Sequence, residues 1–255
     1  MGQEKGASFT FLSKYLRNLG NIFFRWRSYI PLILIPLLLL EADHFHLASG
    51  NDLANTIYEL LCLLISLSGE FVRIITIGFV PPGTSGRNTK SQRATALNTT
   101  GIYSITRNPL YLGNYLIIFG ITLLSQSWEL VVINSLLFIM FYTPIILVEE
   151  EFLLDKFGDE YRDYVFRVPC FFPGFSLWVP AESGWSWRMV LRREYGSTSA
   201  VILSFVLIKH LRLFVIAGEA RADLPWLVFG GAGMLMWLII RFLSKYTSFL
   251  NERRE

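Results

Sequence analysis

Two stretches of this chain carry residue types that could bind and orient a polar ligand. The first, residues 97–113, contains Arg107 next to an Asn-Pro pair. The second begins with three consecutive glutamates at 149–151. Adjacent carboxylates repel one another, and burying them costs free energy unless a cation or a hydrogen-bond donor faces them. Both stretches are therefore candidates for a ligand-binding site.

The first stretch ends a loop rich in Pro, Gly and small polar residues, which begins at residue 81. Such residues break helices and leave backbone N–H and C=O groups free to hold a ligand. Pro109 suits the first turn of a following helix, with Asn108 as its N-cap. That capping role alone would account for the Asn-Pro pair, so the pair by itself does not establish a site.

The second stretch predicts an amphipathic helix that ends before Pro169. Its apolar side chains recur at helical spacing, namely Leu153, Phe157, Tyr161, Tyr164 and Val168. An aromatic stripe of this kind is more typical of a packed core than of a cofactor site. Glu151 is expected to be an ordinary solvated residue of this helix.

The elements that must position these stretches are membrane helices. Hydrophobic residues make up 53% of the 255 residues and charged residues only 17%, whereas a soluble domain carries about 25% charged residues. A bilayer core of ~30 Å needs about 20 helical residues. The sequence predicts an all-α integral membrane protein of about six spans, at residues 29–42, 54–80, 110–126, 128–148, 198–217 and 224–243.

The basic residues predict how these spans are oriented. Eighteen Lys and Arg residues fall on one side of the predicted spans, in the segments 1–27, 81–108, 149–197 and 244–255. The segments on the other side contain only Arg221. By the positive-inside rule, both termini and both candidate loops are expected in the cytoplasm.

The chain is expected to have three parts. Residues 1–27 form a cytoplasmic amphipathic segment at the membrane interface, residues 28–175 a membrane core with the candidate loops, and residues 176–255 an additional helical hairpin and tail. The two cysteines, Cys62 and Cys170, lie in different environments and are expected to be free thiols.

Ionisable residues also occur inside the predicted spans, where they are costly and indicate function by default. Glu70 and Arg73 lie three residues apart on one helical face, which permits either an intrahelical ion pair or a functional site. Lys209, His210 and Arg212 could line a polar cavity for the headgroup of a ligand.

Together the two stretches resemble the signatures of the isoprenylcysteine carboxyl methyltransferase and phospholipid methyltransferase superfamily, over about residues 55–175. The first signature block matches Gly101, Tyr103, Arg107, Asn108, Pro109, Tyr111 and Gly113. The second matches Glu149, Glu150, Leu153, Phe157, Gly158, Glu160, Tyr161, Tyr164, Val168 and Pro169. The chain departs from the signature at Asn108, where the family usually has His; Asn keeps a hydrogen-bonding side chain but does not titrate near neutral pH.

The resemblance implies S-adenosylmethionine as the methyl donor and a lipid or prenylated acceptor that enters sideways from the bilayer. The implied cofactor-binding residues are Thr100, Gly101, Tyr103, Asn108, Pro109, Tyr111, Glu149, Glu150 and Tyr161. Bringing a water-soluble sulfonium and a membrane-bound nucleophile into line is mostly a positioning task. Neither a metal ion nor a nucleic-acid partner is expected.

The candidate catalytic residues are Arg107, Arg167 and Glu150. A carboxylate or phosphate acceptor is already anionic and needs cationic donors to orient it, a role suited to arginine. An amine acceptor must lose a proton, so a glutamate would have to act as general base. Arg167 matches the carboxyl-methylating branch of the superfamily and favours O-methylation. The alternative role for either arginine is to bind lipid phosphate at the interface.

Three other functions stay open at this point. The chain could be a phospholipid amine N-methyltransferase, a membrane reductase that uses a nicotinamide cofactor, or a membrane scaffold without catalytic activity. Asn108 in place of His is what makes the scaffold a possibility.

Overall fold

The computed structural model describes residues 15–41, 52–81, 94–219 and 222–250. Eight helices lie in these ranges: α1 Tyr15–Trp26, α2 Leu34–Leu40, α3 Asp52–Phe79, α4 Pro109–Leu123, α5 Trp128–Phe157, α6 Asp159–Arg167, α7 Trp187–Ala217 and α8 Leu224–Tyr246. Residues 1–14, which are the first part of the predicted interfacial segment, lie outside these ranges. Residues 82–93, which belong to the loop that begins at residue 81, also lie outside them.

The prediction of an all-α integral membrane protein is confirmed, and a helix lies at each of the six predicted spans. By length and composition, α3, α5, α7 and α8 can each cross a bilayer. α1 and the helical segment Ile30–Leu40 would form a fifth span, bent by 85°. α4 is equally apolar but has only 15 residues.

Two boundaries differ from the sequence-based prediction. α5 continues nine residues beyond its predicted end, and Gly158 then separates it from α6, at a φ of 56° that favours glycine. The expected single amphipathic helix is therefore two helices. α7 begins at Trp187, eleven residues before the predicted span, because its first turns carry charged residues that a search for apolar runs passes over.

Close backbone approach joins α3 to α4. A Cβ atom at Gly69 would lie 2.5 Å from the Gly113 carbonyl oxygen, and one at Gly120 would lie 2.5 Å from that of Cys62. Small residues permit such contact between membrane helices, where burial from water does not drive association. The Ser66 hydroxyl strengthens the contact by donating to the Ile117 carbonyl at 2.9 Å.

Polar pairs at two depths attach α7 to α3. Near one end, Arg73 forms an ion pair with Glu194 at 2.8 Å, and the Ser197 hydroxyl donates to Glu70 at 2.9 Å. Glu70 and Arg73 thus both reach across to α7, instead of serving mainly as an intrahelical pair.

A second polar cluster joins α3 and α7 near the other end of the bundle. Buried Glu59 pairs there with Lys209 at 2.6 Å and with Arg212. Arg212 also donates to the Leu124 carbonyl at 2.9 Å, and Lys209 lies 3.7 Å from Asp223. The sequence makes Lys209, His210 and Arg212 candidates for a headgroup cavity, but the ion pairs of Lys209 and Arg212 connect helices, and none of the three lines the cavity described below.

Replacing Gly69 by alanine is expected to lower the free energy of unfolding by about 1–3 kcal/mol, because the new methyl group meets backbone atoms that cannot rotate away. The measurement is thermal unfolding of the protein in detergent. Gly231→Ala is the matched control, because no atom lies within 4 Å of a Cβ there. Equal transition temperatures for the two variants would contradict this account of the α3–α4 contact.

Candidate active site

Arg107 joins the two sequence stretches. Its Nε donates to Glu150 at 2.9 Å, and one terminal nitrogen donates to the carbonyls of Val165 at 3.0 Å and Val168 at 2.8 Å. Its backbone N–H donates to the Pro169 carbonyl at 3.0 Å. Burial acts to lower the pKa of the Arg107 guanidinium, but the hydrogen bond and charge of Glu150 outweigh burial and raise it. The side chain is therefore a permanent cation.

The neighbours of Arg107 extend this junction. Asn108 occupies the N-cap position of α4, but its side chain does not cap the helix. Instead its amide donates to the Cys170 carbonyl at 3.1 Å. Thr106 donates to the Phe171 carbonyl at 3.0 Å, and the Gly174 N–H donates to the Ile105 carbonyl at 2.9 Å. The segment after α6 is thus bound residue by residue to the segment before α4.

Two tyrosines of α6 complete the junction. The Tyr164 hydroxyl donates to the Tyr103 carbonyl at 2.7 Å, and Tyr161 is equally buried. Burial raises the pKa of both phenols, so both remain neutral hydroxyl groups at physiological pH. The apolar stripe predicted for this region therefore packs against the first stretch, and two of its tyrosines also present a polar group there.

The glutamates at 149–151 have different environments. Glu149 accepts from the Tyr111 hydroxyl at 2.9 Å, and Glu150 accepts from Arg107. Glu151 is more exposed and pairs with Arg17 of α1. Distinct donors thus offset the repulsion between adjacent carboxylates, and only the first two glutamates belong to the site.

A single cavity of about 850 Å³ opens beside these residues. Its polar part is lined by Tyr103, Arg107, Asn108, Tyr111, Glu149, Glu150, Tyr161 and Tyr164. It continues into the bundle along apolar residues of α2, α4 and α7, including Leu38, Ile118, Ile121 and Ile208. The volume lies within the range of about 300–1,000 Å³ that is usual for ligand sites, and the lining changes from polar to apolar along its length.

Most of the predicted site residues line this cavity, but three do not. Thr100 and Gly101 bind the segment after α6 instead: the Gly101 N–H donates to the Val179 carbonyl at 2.9 Å, and Thr100 accepts from the Glu182 N–H at 3.5 Å. Arg167 is exposed at the end of α6 and does not line the cavity, and its Nε donates back to the Asp163 carbonyl at 3.2 Å. The structure therefore does not bring Arg167 to the predicted site.

Several further residues lie at the polar end although no sequence motif marks them, namely Asn98, Asn114, Tyr142, Arg193, Glu194 and Ser197. In the sequence, Arg193 is one of the basic residues of the segment 149–197, which is expected in the cytoplasm. Arg73 had been noted as an intramembrane charge, and it donates to both Glu194 and Asn114. Because a charged side chain within a membrane span needs a partner, Arg73 was the signal in the sequence that could have led to Glu194 and Asn114.

Comparison with known proteins supports the superfamily suggested by the motifs. The phospholipid methyltransferase family matches residues 82–160. The cobalt-zinc-cadmium resistance protein CzcN of Cupriavidus metallidurans is 32% identical over 163 residues, which cover 63% of this chain and 72% of that protein. The chain belongs to the isoprenylcysteine carboxyl methyltransferase and phospholipid methyltransferase superfamily.

Two named enzymes add to this assignment. The protein-S-isoprenylcysteine O-methyltransferase of Schizosaccharomyces pombe is 28% identical over 121 residues, and that of Saccharomyces cerevisiae is 32% identical over 120 residues. Each alignment covers 46% of this chain and about half of the enzyme, 50% and 49% respectively. No solved structure matches the chain significantly. The sequence-based prediction of a membrane methyltransferase is confirmed by these comparisons.

Replacing Arg107 of this methyltransferase by alanine is expected to lower the free energy of unfolding by about 2–4 kcal/mol, because Glu150 and two carbonyls lose their donor. Arg167→Ala is the matched control; it should change stability by less than about 0.5 kcal/mol, because its side chain is exposed. Denaturant unfolding of both variants in detergent measures the difference. Similar losses in the two variants would show that Arg107 does not hold the junction.

The Cys170 thiol is expected to react slowly with alkylating reagents at neutral pH. Burial raises its pKa, as does the adjacent Glu150 carboxylate, so the reactive thiolate forms only at a pH above that of an ordinary cysteine. The measurement is the rate of iodoacetamide alkylation between about pH 7 and 10 in a Cys62→Ala background. If the midpoint pH of the rate profile is at or below that of free cysteine, this environment is contradicted.

Proposed function

We propose that this protein is an S-adenosylmethionine-dependent methyltransferase that O-methylates an anionic group of a lipid-like acceptor. The observation that supports it is the single cavity whose polar end contains both motif stretches and whose other end is apolar and lies among the membrane helices. A water-soluble donor and the headgroup of an amphiphile could meet at the polar end, while the acceptor's chain occupies the apolar end.

The residues at the polar end fit S-adenosylmethionine by their chemistry. Carboxylates suit its ribose hydroxyls and its ammonium group, and amide and phenol groups can hold the adenine edge. Glu149, Glu150, Asn108, Tyr103 and Tyr161 are the proposed binding residues. When bound, the cofactor supplies a methyl group activated by a positively charged sulfur. Thr100 and Gly101 would act indirectly, because they position the segment that closes this end.

The charges around the cavity favour an anionic acceptor over an amine. Among the described lining residues there are four arginines, Arg27, Arg73, Arg107 and Arg193, and three glutamates. Each glutamate already accepts a hydrogen bond: Glu149 from Tyr111, Glu150 from Arg107, and Glu194 from Arg73. The arginines of the lining therefore outnumber its glutamates, and each glutamate is already held by a donor, so the charge balance favours an anionic acceptor over an amine, which would require one of these paired glutamates as general base.

An anionic acceptor makes few chemical demands on the protein. An anionic oxygen would need no proton removed before it accepts the methyl group, a transfer that would leave S-adenosylhomocysteine, so the protein would have only to align the two reactants and exclude water. The arginines supply the electrostatic orientation, and the buried tyrosines and α6 shield the site. Asn108, which does not titrate, is sufficient for such a mechanism because it needs to donate a hydrogen bond only.

The active-site end is proposed to face the cytoplasm. The positive-inside rule favours this orientation, because the segments next to the cavity mouth carry most of the Lys and Arg residues. S-adenosylmethionine would then bind from the compartment in which it is soluble.

The decisive experiment incubates purified protein with methyl-labelled S-adenosylmethionine and total membrane lipid, and then identifies the labelled product. A carboxylate methyl ester would release its label in base, whereas a methylated amine would keep it. The proposal expects the label on an oxygen atom, in a base-labile ester if the acceptor is a carboxylate and on a phosphate oxygen otherwise, and for a carboxylate a rate that stays nearly constant from about pH 6 to 9, since the acceptor is ionised throughout that range. A base-stable, N-methylated product would establish the amine alternative.

Binding distinguishes the remaining alternatives. Glu150→Gln should weaken the binding of S-adenosylhomocysteine, measured by calorimetry, at least about tenfold. Glu151→Gln is the matched control, because Glu151 lies outside the cavity lining. If wild-type protein binds neither S-adenosylmethionine nor S-adenosylhomocysteine, the methyltransferase proposal fails in favour of a scaffold or a reductase.

A further inference from the structure

Helix α7 forms one wall of the cavity although it lies outside the residues matched by the phospholipid methyltransferase family, 82–160. Eight of its residues line the cavity along its length: Arg193, Glu194, Ser197, Ala200, Val201, Ser204, Leu207 and Ile208. The C-terminal hairpin is therefore part of the site's architecture, and what its wall binds can be deduced from the residues it presents.

The wall is held in place by α3. The Ser186 N–H, next to the start of α7, donates to the Gly78 carbonyl at 2.8 Å. Farther along, Arg73 pairs with Glu194, and Lys209 pairs with Glu59. Attachment at these three levels fixes which face of α7 is turned toward the cavity, so this face is a rigid binding surface.

The wall changes character along its length. Arg193 lies at the polar end, Ser197, Ala200 and Ser204 provide only small side chains, and Ile208 lies at the apolar end. Ile208 follows Ser197 by eleven residues, which corresponds to about 16 Å of helix. That length is about half of a ~30 Å hydrocarbon core, the depth reached by the chain of one leaflet.

The cavity is open on one side toward the position of the lipid. Leu32, Ile35 and Leu207 line the cavity and yet remain 54%, 49% and 62% exposed. Ala200 is exposed as well. All four are apolar or small, and they come from α2, the turn before it and α7. A rim of this composition is suited to contact with hydrocarbon.

From these observations we propose that α7 is the acceptor-binding wall. It receives a single linear chain of an anionic amphiphile, which enters from the bilayer between α2 and α7, and Arg193 orients the anionic headgroup. The cavity volume of about 850 Å³ lies within the range of about 300–1,000 Å³ that is usual for sites of drug-sized ligands. This inference rests on the proposed function and names its substrate class.

The kinetic test fills the wall with a larger side chain. Ala200→Trp is expected to raise KM for a long-chain anionic acceptor at least about tenfold, which corresponds to the loss of two buried methylene groups. KM for a short-chain analogue and the Kd of S-adenosylhomocysteine should stay unchanged. The matched control is Ala232→Trp, an exposed alanine of α8 that does not line the cavity. Equal KM values for the two variants would overturn the proposal.

A second variant covers the case in which Ala200→Trp does not fold. Ser204→Leu adds a smaller side chain deeper in the same wall, and its effect should increase with the acceptor's chain length. Size-exclusion chromatography in detergent identifies folded variants. A Ser204→Leu effect that is independent of chain length would also contradict the proposal.

Photolabelling tests the wall without requiring methyl transfer. The probes are a fatty acid and a prenylcysteine, each with a free carboxylate and a diazirine in its chain, so that acyl and prenyl sources are compared directly. Label competed by excess unlabelled probe is expected on peptides containing residues 32–38 and 197–208. Label restricted to α8, or not competed, would refute the wall. Specific labelling without methyl transfer would retain the wall and reject the proposed function.

Discussion

A guanidinium buried beside a membrane must be neutralised, and the way Arg107 is neutralised determines the rest of the site. Its partners are a carboxylate at the end of a long membrane helix and two carbonyls at the end of a short one. The loop before α4 and the segment after α6 can therefore reach their native positions only together. Because the Glu150 carboxylate is paired with Arg107, the ion pair that joins the two segments also sets the electrostatic potential at the polar end of the cavity.

The attachment of the C-terminal hairpin also depends on the neutralisation of buried charges. Lipid offers no hydrophobic gain when two membrane helices meet, so close packing and polar contacts must hold them. α4 meets α3 through glycines, whereas α7 meets α3 through ion pairs and hydroxyl groups. A charge such as Glu59, which would be costly alone in a bilayer, is stabilised only when Lys209 and Arg212 are in place. The hairpin and the core are thus coupled electrostatically.

The sequence predicted the membrane class, the helix positions and most cavity-lining motif residues, because hydropathy and local signatures encode them. It did not predict that Gly158 would split the amphipathic helix, since the apolar spacing continues across it. It assigned Arg167 to the site on its position in the motif, although the structure leaves that side chain exposed and outside the cavity lining. The role of Glu194 could not be predicted for a different reason. Its pairing with Arg73 joins residues 121 positions apart, and only the tertiary fold brings them together.

The exposed apolar rim formed by Leu32, Ile35 and Leu207 has a consequence for how such a protein would sense its acceptor. A molecule that arrives through this rim diffuses in two dimensions among other lipids. The concentration that matters for binding is therefore its amount per lipid and not its amount per volume of water. Occupancy then follows its mole fraction in the leaflet, and adding inert lipid dilutes it even when the total amount in the sample is constant. The surrounding membrane thereby becomes the effective solvent of the reaction.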